Sequence, residues 1–185
     1  ILLIDIIYNW KKNLSKLDKE EFLLAYKFLI TADYWLLLNL VLALLFSIPT
    51  INFFTHGTHI TVAHSMGTTI GINTSILFAS LFFIVSKLSV KNKLNNFLIK
   101  RSIILYNISL LLFWLSLLIA GTKRSHWMYF NKDISFSQMQ DSLYYVYLAF
   151  FIFGILLVAS ILIISTILLK FLIKNIKFIR TNSNH

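Results

Sequence analysis

The chain has 185 residues, of which 58% are hydrophobic, 13% are charged and one is proline, and its mean hydropathy is +0.78. Soluble domains run at about 45–50% apolar and about 25% charged, so an ordinary soluble domain is excluded and an integral membrane protein is indicated. Seventeen Lys+Arg against seven Asp+Glu give a formal charge of +10, which in a membrane protein is a topology signal and not a call for nucleic acid; the absence of cysteine removes disulfides, thiolate nucleophiles and cysteine metal sites and leaves His, Met, carboxylates and backbone for any metal.

In chain order, the first predicted element is an apolar stub at 1–8, which lacks the basic n-region and small-residue cleavage site of a signal peptide. It is expected to be the tail of a truncated helix from a longer protein. Residues 9–34 carry Lys11, Lys12, Lys16, Asp18, Lys19, Glu20, Glu21 and Lys27 and are expected to form a partly helical surface connector. Spanning a bilayer takes about 20 mostly apolar residues. Four stretches meet that test, at about 35–54, 61–86, 102–120 and 143–173, followed by a basic tail at 174–185. The predicted fold is all-α: a polytopic transmembrane helix bundle, in a single membrane domain.

Four spans place the connector, the loop around 87–101 and the tail on one side. Those segments, with Lys170 at the same end of the last span, hold fourteen of the seventeen basic residues, and only Lys123, Arg124 and Lys132 lie opposite. The positive-inside rule therefore assigns the basic side to the cytoplasm and turns the segment around Thr50 to His59 outward. Within the spans, Asn39 and Asn107 are expected to make interhelical hydrogen bonds. The second span is polar in its outer half and carries Ala63, Gly67, Gly71, Ser75 and Ala79 at four-residue steps. Such a stripe admits a neighbouring helix or a flat macrocycle at close range.

Candidate chemistry concentrates in Thr55-His56-Gly57-Thr58-His59-Ile60-Thr61-Val62-Ala63-His64-Ser65-Met66, which holds three of the five histidines. Histidine is the commonest metal ligand among side chains, and an intramembrane histidine is a functional candidate. Residues two apart on an α-helix differ by about 200° in direction, so His64 and Met66 project oppositely and two planar cofactors can flank the helix. Both side chains serve as axial ligands of haem iron.

This run resembles the haem-ligand helix of the haem–copper oxidase superfamily, most closely that of the large subunit of bacterial nitric oxide reductases. In that family a His-Gly-Thr or His-Asp-Thr turn leads into Ala-His-x-His, whose first histidine binds the high-spin haem and whose second binds the low-spin haem. The resemblance implies that His64 is the high-spin haem axial ligand. Met66 stands where the family has its second histidine. Three readings follow: Met66 ligates the low-spin haem, another residue such as His59 replaces it, or low-spin haem binding is altered or lost; the first is preferred. His56 matches the histidine of the turn, implying a place near the haem propionates or an ion site. His59 takes no role from the family, and its plain reading is surface exposure.

The resemblance further implies that the chain forms the last four helices, plus a truncated stub, of a twelve-helix subunit. Its cofactors would be high-spin and low-spin haem b, with a second metal, non-haem iron or copper, held by three histidines upstream of this chain. Its partners would be membrane lipid, the upstream part of the same subunit and a cytochrome c-type or quinol electron donor, in the bacterial inner membrane. The implied activity is reduction of nitric oxide to nitrous oxide, electrons passing through the low-spin haem to a haem–metal pair. A dioxygen-reducing cytochrome oxidase is the alternative within the superfamily; a non-catalytic haem-carrying anchor or small transporter is the alternative outside it. Lys123, Arg124 and His126, next to Trp127, suit either haem propionates or an interfacial belt.

Overall fold

The computed structural model describes residues 23–88, 96–131 and 133–182; the stub and the connector up to residue 22 lie outside the described residues. The elements are α1 (Leu23–Phe46), α2 (Pro49–Thr55), α3 (His59–Met66), a π-helical stretch (Gly67–Thr74), α4 (Ser75–Leu88), α5 (Asn96–Phe130), α6 (Phe136–Ser142) and α7 (Tyr144–Asn182). Among the described residues, four runs are long and apolar enough to cross a membrane: Leu23–Phe46, His59–Lys87, Phe97–Phe130 and Tyr144–Lys174. The all-α transmembrane class follows directly from the composition.

The boundaries differ from the sequence reading at both ends of the first span. Leu24, Ala25, Phe28, Thr31, Ala32, Trp35, Asn39 and Leu42 are the buried residues of α1. Their three- and four-residue spacing makes one continuous packed face, so helix begins at Leu23, inside the stretch expected as connector. At the other end Pro49 sits in the first turn of α2, where its missing N–H costs nothing and its φ suits a new helix. The predicted span to residue 54 is therefore broken after Phe46. At the C-terminus, α7 continues to Asn182, through most of the predicted tail.

α1 packs on the π-helical stretch and α4, α3 packs on α5, and α5 runs along α7. Phe28, Phe82, Tyr106, Leu110 and Ile164 are fully buried at the centre. The Phe28 and Phe82 rings stack at 5.4 Å, and Trp35 meets Trp114 edge-on at 5.8 Å. Leu37, Leu44, Phe151, Ile155, Val158 and Leu162 point away from the bundle and are exposed, as apolar side chains facing lipid or further helices must be.

The small-residue stripe explains the π-helix. In an α-helix a row of residues four apart drifts by about 40° per step, so five such residues cannot all face one neighbour. A π turn closes on the fifth residue instead of the fourth, which cancels the drift. Ala63, Gly67, Gly71, Ser75 and Ala79 are accordingly all buried. A Cβ on Gly67 would collide with the Asn39 side chain, and one on Gly71 would lie 2.5 Å from Cγ of Trp35. Of the two occupants the sequence allowed for this stripe, the neighbouring helix is the one in place.

Candidate functional site

The site is built at the end of the bundle where α2 turns into α3. Gly57 has φ +71°, a left-handed conformation open to glycine at no steric cost, and it reverses the chain after α2. Thr58 then caps α3. Its hydroxyl donates to Thr55 O at 2.6 Å and accepts from Ile60 N–H at 3.3 Å, while Thr61 Oγ1 donates to Thr58 O at 2.8 Å. These bonds satisfy groups that a helix start would otherwise leave unpaired.

Across this turn, α5 closes tightly. A Cβ on Gly121 would lie 2.5 Å from Ile60 N and 3.1 Å from the His59 carbonyl carbon, so the start of α3 rests on the α5 backbone. Ser125 is fully buried and returns its hydroxyl to Gly121 O at 2.9 Å. Tyr129 Oη donates to Phe53 O at 2.9 Å, tying the outer part of α5 to α2. Lys123 Nζ reaches Ser142 O at 3.4 Å and Trp127 Nε1 donates to Ile134 O at 2.7 Å, which gathers the connector before α7 to the same end.

On α3, Ala63 is buried and Ser65 is exposed, whereas His64 and Met66 are half-buried. The two therefore leave the helix on opposite flanks of its packed face, as their spacing predicts. The His64 ring meets Phe46 edge-on at 5.5 Å, and its Nδ1 is buried with no hydrogen-bond partner. Met66 packs along the margin of the central core. His56 is exposed.

His59 departs from the surface reading. It is half-buried, its ring centroid lies 5.8 Å from that of Tyr147, and its Nδ1 is buried without a partner. The close approach at Gly121 draws it in. Arg124 acts on it electrostatically, and Arg124 Nε is likewise buried and unpartnered. Of the outer basic trio, Lys123 and His126 are exposed and Arg124 is half-buried. Among the described residues no three His, Asp or Glu side chains come together to hold a metal ion.

Two polar groups have a place that sequence spacing did not assign. Asn107 makes the expected interhelical bond, to Thr31 Oγ1 at 3.3 Å, but the Asn39 amide is buried against Gly67 with neither its oxygen nor its nitrogen partnered. Tyr106, unremarked in a run of apolar residues, is wholly buried and bonds the π-helical stretch through Ile70 O at 2.5 Å.

The chain is similar to the family described as cytochrome c and quinol oxidase polypeptide I, whose model matches residues 6–156. No curated protein and no solved structure matches the chain.

Proposed function

The chain belongs to the cytochrome c and quinol oxidase polypeptide I family, and from that premise we propose that it forms the haem-ligand portion of a respiratory membrane oxidoreductase that reduces nitric oxide to nitrous oxide. The observation that carries the reading is His64. It is a half-buried intramembrane imidazole on the flank of a capped helix, with Nδ1 turned into the bundle and Nε2 left as the nitrogen open to a ligand. A histidine within a membrane span is a functional candidate, and ligation of a haem iron through Nε2 would give this ring a use. The Thr55-His56-Gly57-Thr58 turn that leads into it supports the nitric oxide reductase type within the family.

The residues present fit a haem on the His64 flank. Haem, when bound, supplies the redox chemistry; the protein supplies attachment, orientation and exclusion of water. His64 would hold the haem iron. Phe46, edge-on to that ring, covers it from α1. Arg124, its Nε buried and unpaired, acts on His59, which lies seven residues before Met66 and so on the Met66 side of the helix; there it would offer a charge-assisted donor to a propionate carboxylate, and the exposed His56 lies at the same end of the bundle. Met66, on the opposite flank, would offer its thioether to a second haem. A second metal would need ligands beyond the described residues. Lys87, Lys100, Arg101, Lys170 and Lys174 mark the cytoplasmic ends of the helices, which turns the His56–His64 end outward in a bacterial inner membrane.

Membranes containing the protein, given reductant without oxygen, should convert two nitric oxide molecules into one nitrous oxide and one water with two electrons and two protons. Gas chromatography of nitrous oxide checks this. Oxygen uptake without nitric oxide consumption would make the protein a terminal oxidase; haem retained with neither activity would make it a haem-carrying anchor.

Met66 has its own test. The purified holoprotein should show a near-infrared sulfur-to-iron charge-transfer band, and Met66→His should abolish it and lower the low-spin haem potential, since His/Met ligation raises it. Bis-histidine signals in the unsubstituted protein would remove Met66 from the ligand set.

A further inference from the structure

We infer that Tyr106 is a positioning residue for His64: its hydroxyl ends the π-helical stretch at Thr74 and so sets the angle at which the α3 turn faces the bundle. The inference rests on the proposed ligand role of His64.

Tyr106 lies on α5, is fully buried, and has its ring edge-on to Phe28 at 6.4 Å. Its hydroxyl donates to Ile70 O at 2.5 Å and lies 3.2 Å from Ser75 Oγ. Ile70 O is the acceptor that one more π step would offer to the Ser75 N–H, five residues on. That N–H instead closes on Ile72 O, and the phenol supplies the donor at Ile70. The π ladder stops where the hydroxyl reaches it.

Where it stops matters because each π turn takes up one residue more than an α turn, and one residue is about 100° of helix rotation. Shortening or lengthening the stretch by a turn would rotate His59–Met66 relative to α4. The His64 segment is thus held to α5 at two levels, by backbone contact at Gly121 and by the Tyr106 bond below it. His64 lies between the two.

The test uses the haem-loaded protein in detergent and three variants. Tyr106→Phe keeps the ring and removes the hydroxyl. Phe28→Leu loosens the same packing and leaves the hydroxyl. His64→Ala reports the ligand itself. Tyr106→Phe should keep its haem content, shift the iron–histidine stretching band in resonance Raman spectra of the reduced protein, and raise amide hydrogen exchange in a peptide covering 67–75 by about fivefold to tenfold, as expected for one lost buried hydrogen bond. Phe28→Leu should leave the band in place. A Tyr106→Phe protein with unchanged exchange, or with faster exchange and an unmoved band, overturns the positioning role alone. A band that survives His64→Ala overturns the ligand reading and the positioning role with it.

Discussion

Replacing His64 with alanine in the haem-loaded protein is expected to remove the high-spin haem and leave the low-spin one, so pyridine haemochrome analysis should find about half the haem per protein. Nitric oxide turnover should fall by more than about 100-fold, because even residues that merely orient a metal ligand cost 10- to 100-fold when removed. The neighbouring Ser65 supplies the control. It is exposed, on the side of α3 away from the bundle, and Ser65→Ala should leave haem content and turnover unchanged. Full haem content in the His64→Ala protein would sink the assignment.

The second large effect is expected at Gly121. Alanine is the better helix former by about 1 kcal/mol, so an isolated helix would gain from Gly121→Ala. Here the added methyl would sit 2.5 Å from the Ile60 backbone nitrogen, and backbone cannot swing aside as a side chain can. Overpacking of this kind costs about 3 kcal/mol, which outweighs the helix gain and leaves a net destabilisation of about 2 kcal/mol. Gly154 has the opposite sign. A Cβ there meets only Phe113, at 3.5 Å, which is an ordinary contact, so Gly154→Ala should stabilise by up to about 1 kcal/mol. Thermal inactivation of the two purified variants checks both, and loss of haem before unfolding is expected only for Gly121→Ala. Equal midpoints would contradict the close approach of α3 to α5.

Much of this arrangement is legible in the sequence because bilayers impose simple rules. Long apolar stretches must be helices, and the Thr-His-Gly-Thr turn carries its own instructions: a glycine for the left-handed residue and a threonine for the cap. The start of the first span is masked in the sequence by the charges of Lys27 and Asp33, which the buried series from Leu24 to Asn39 runs straight past. The burial of His59 leaves no local signal because it depends on Gly121, 62 residues along the chain, having no side chain. Tyr106 gave no local signal, since its hydroxyl answers to a carbonyl on another helix. The four-residue step of the small residues did hold one unread message: carried over so many turns, it is incompatible with a straight α-helix facing a single neighbour.

That message bears on how the segment tolerates change in length. Deleting one residue from an α-helix swings everything beyond it by about 100°, which in α5 would turn Tyr106 and Gly121 to different neighbours. The stretch Gly67–Thr74 is already wound with residues in excess, so the loss of one there, such as the exposed Thr69, can be absorbed by a turn relaxing to α geometry with both flanks facing as before. Between His64 and the opposite end of its span, the chain carries slack in length at the place where it permits none in bulk.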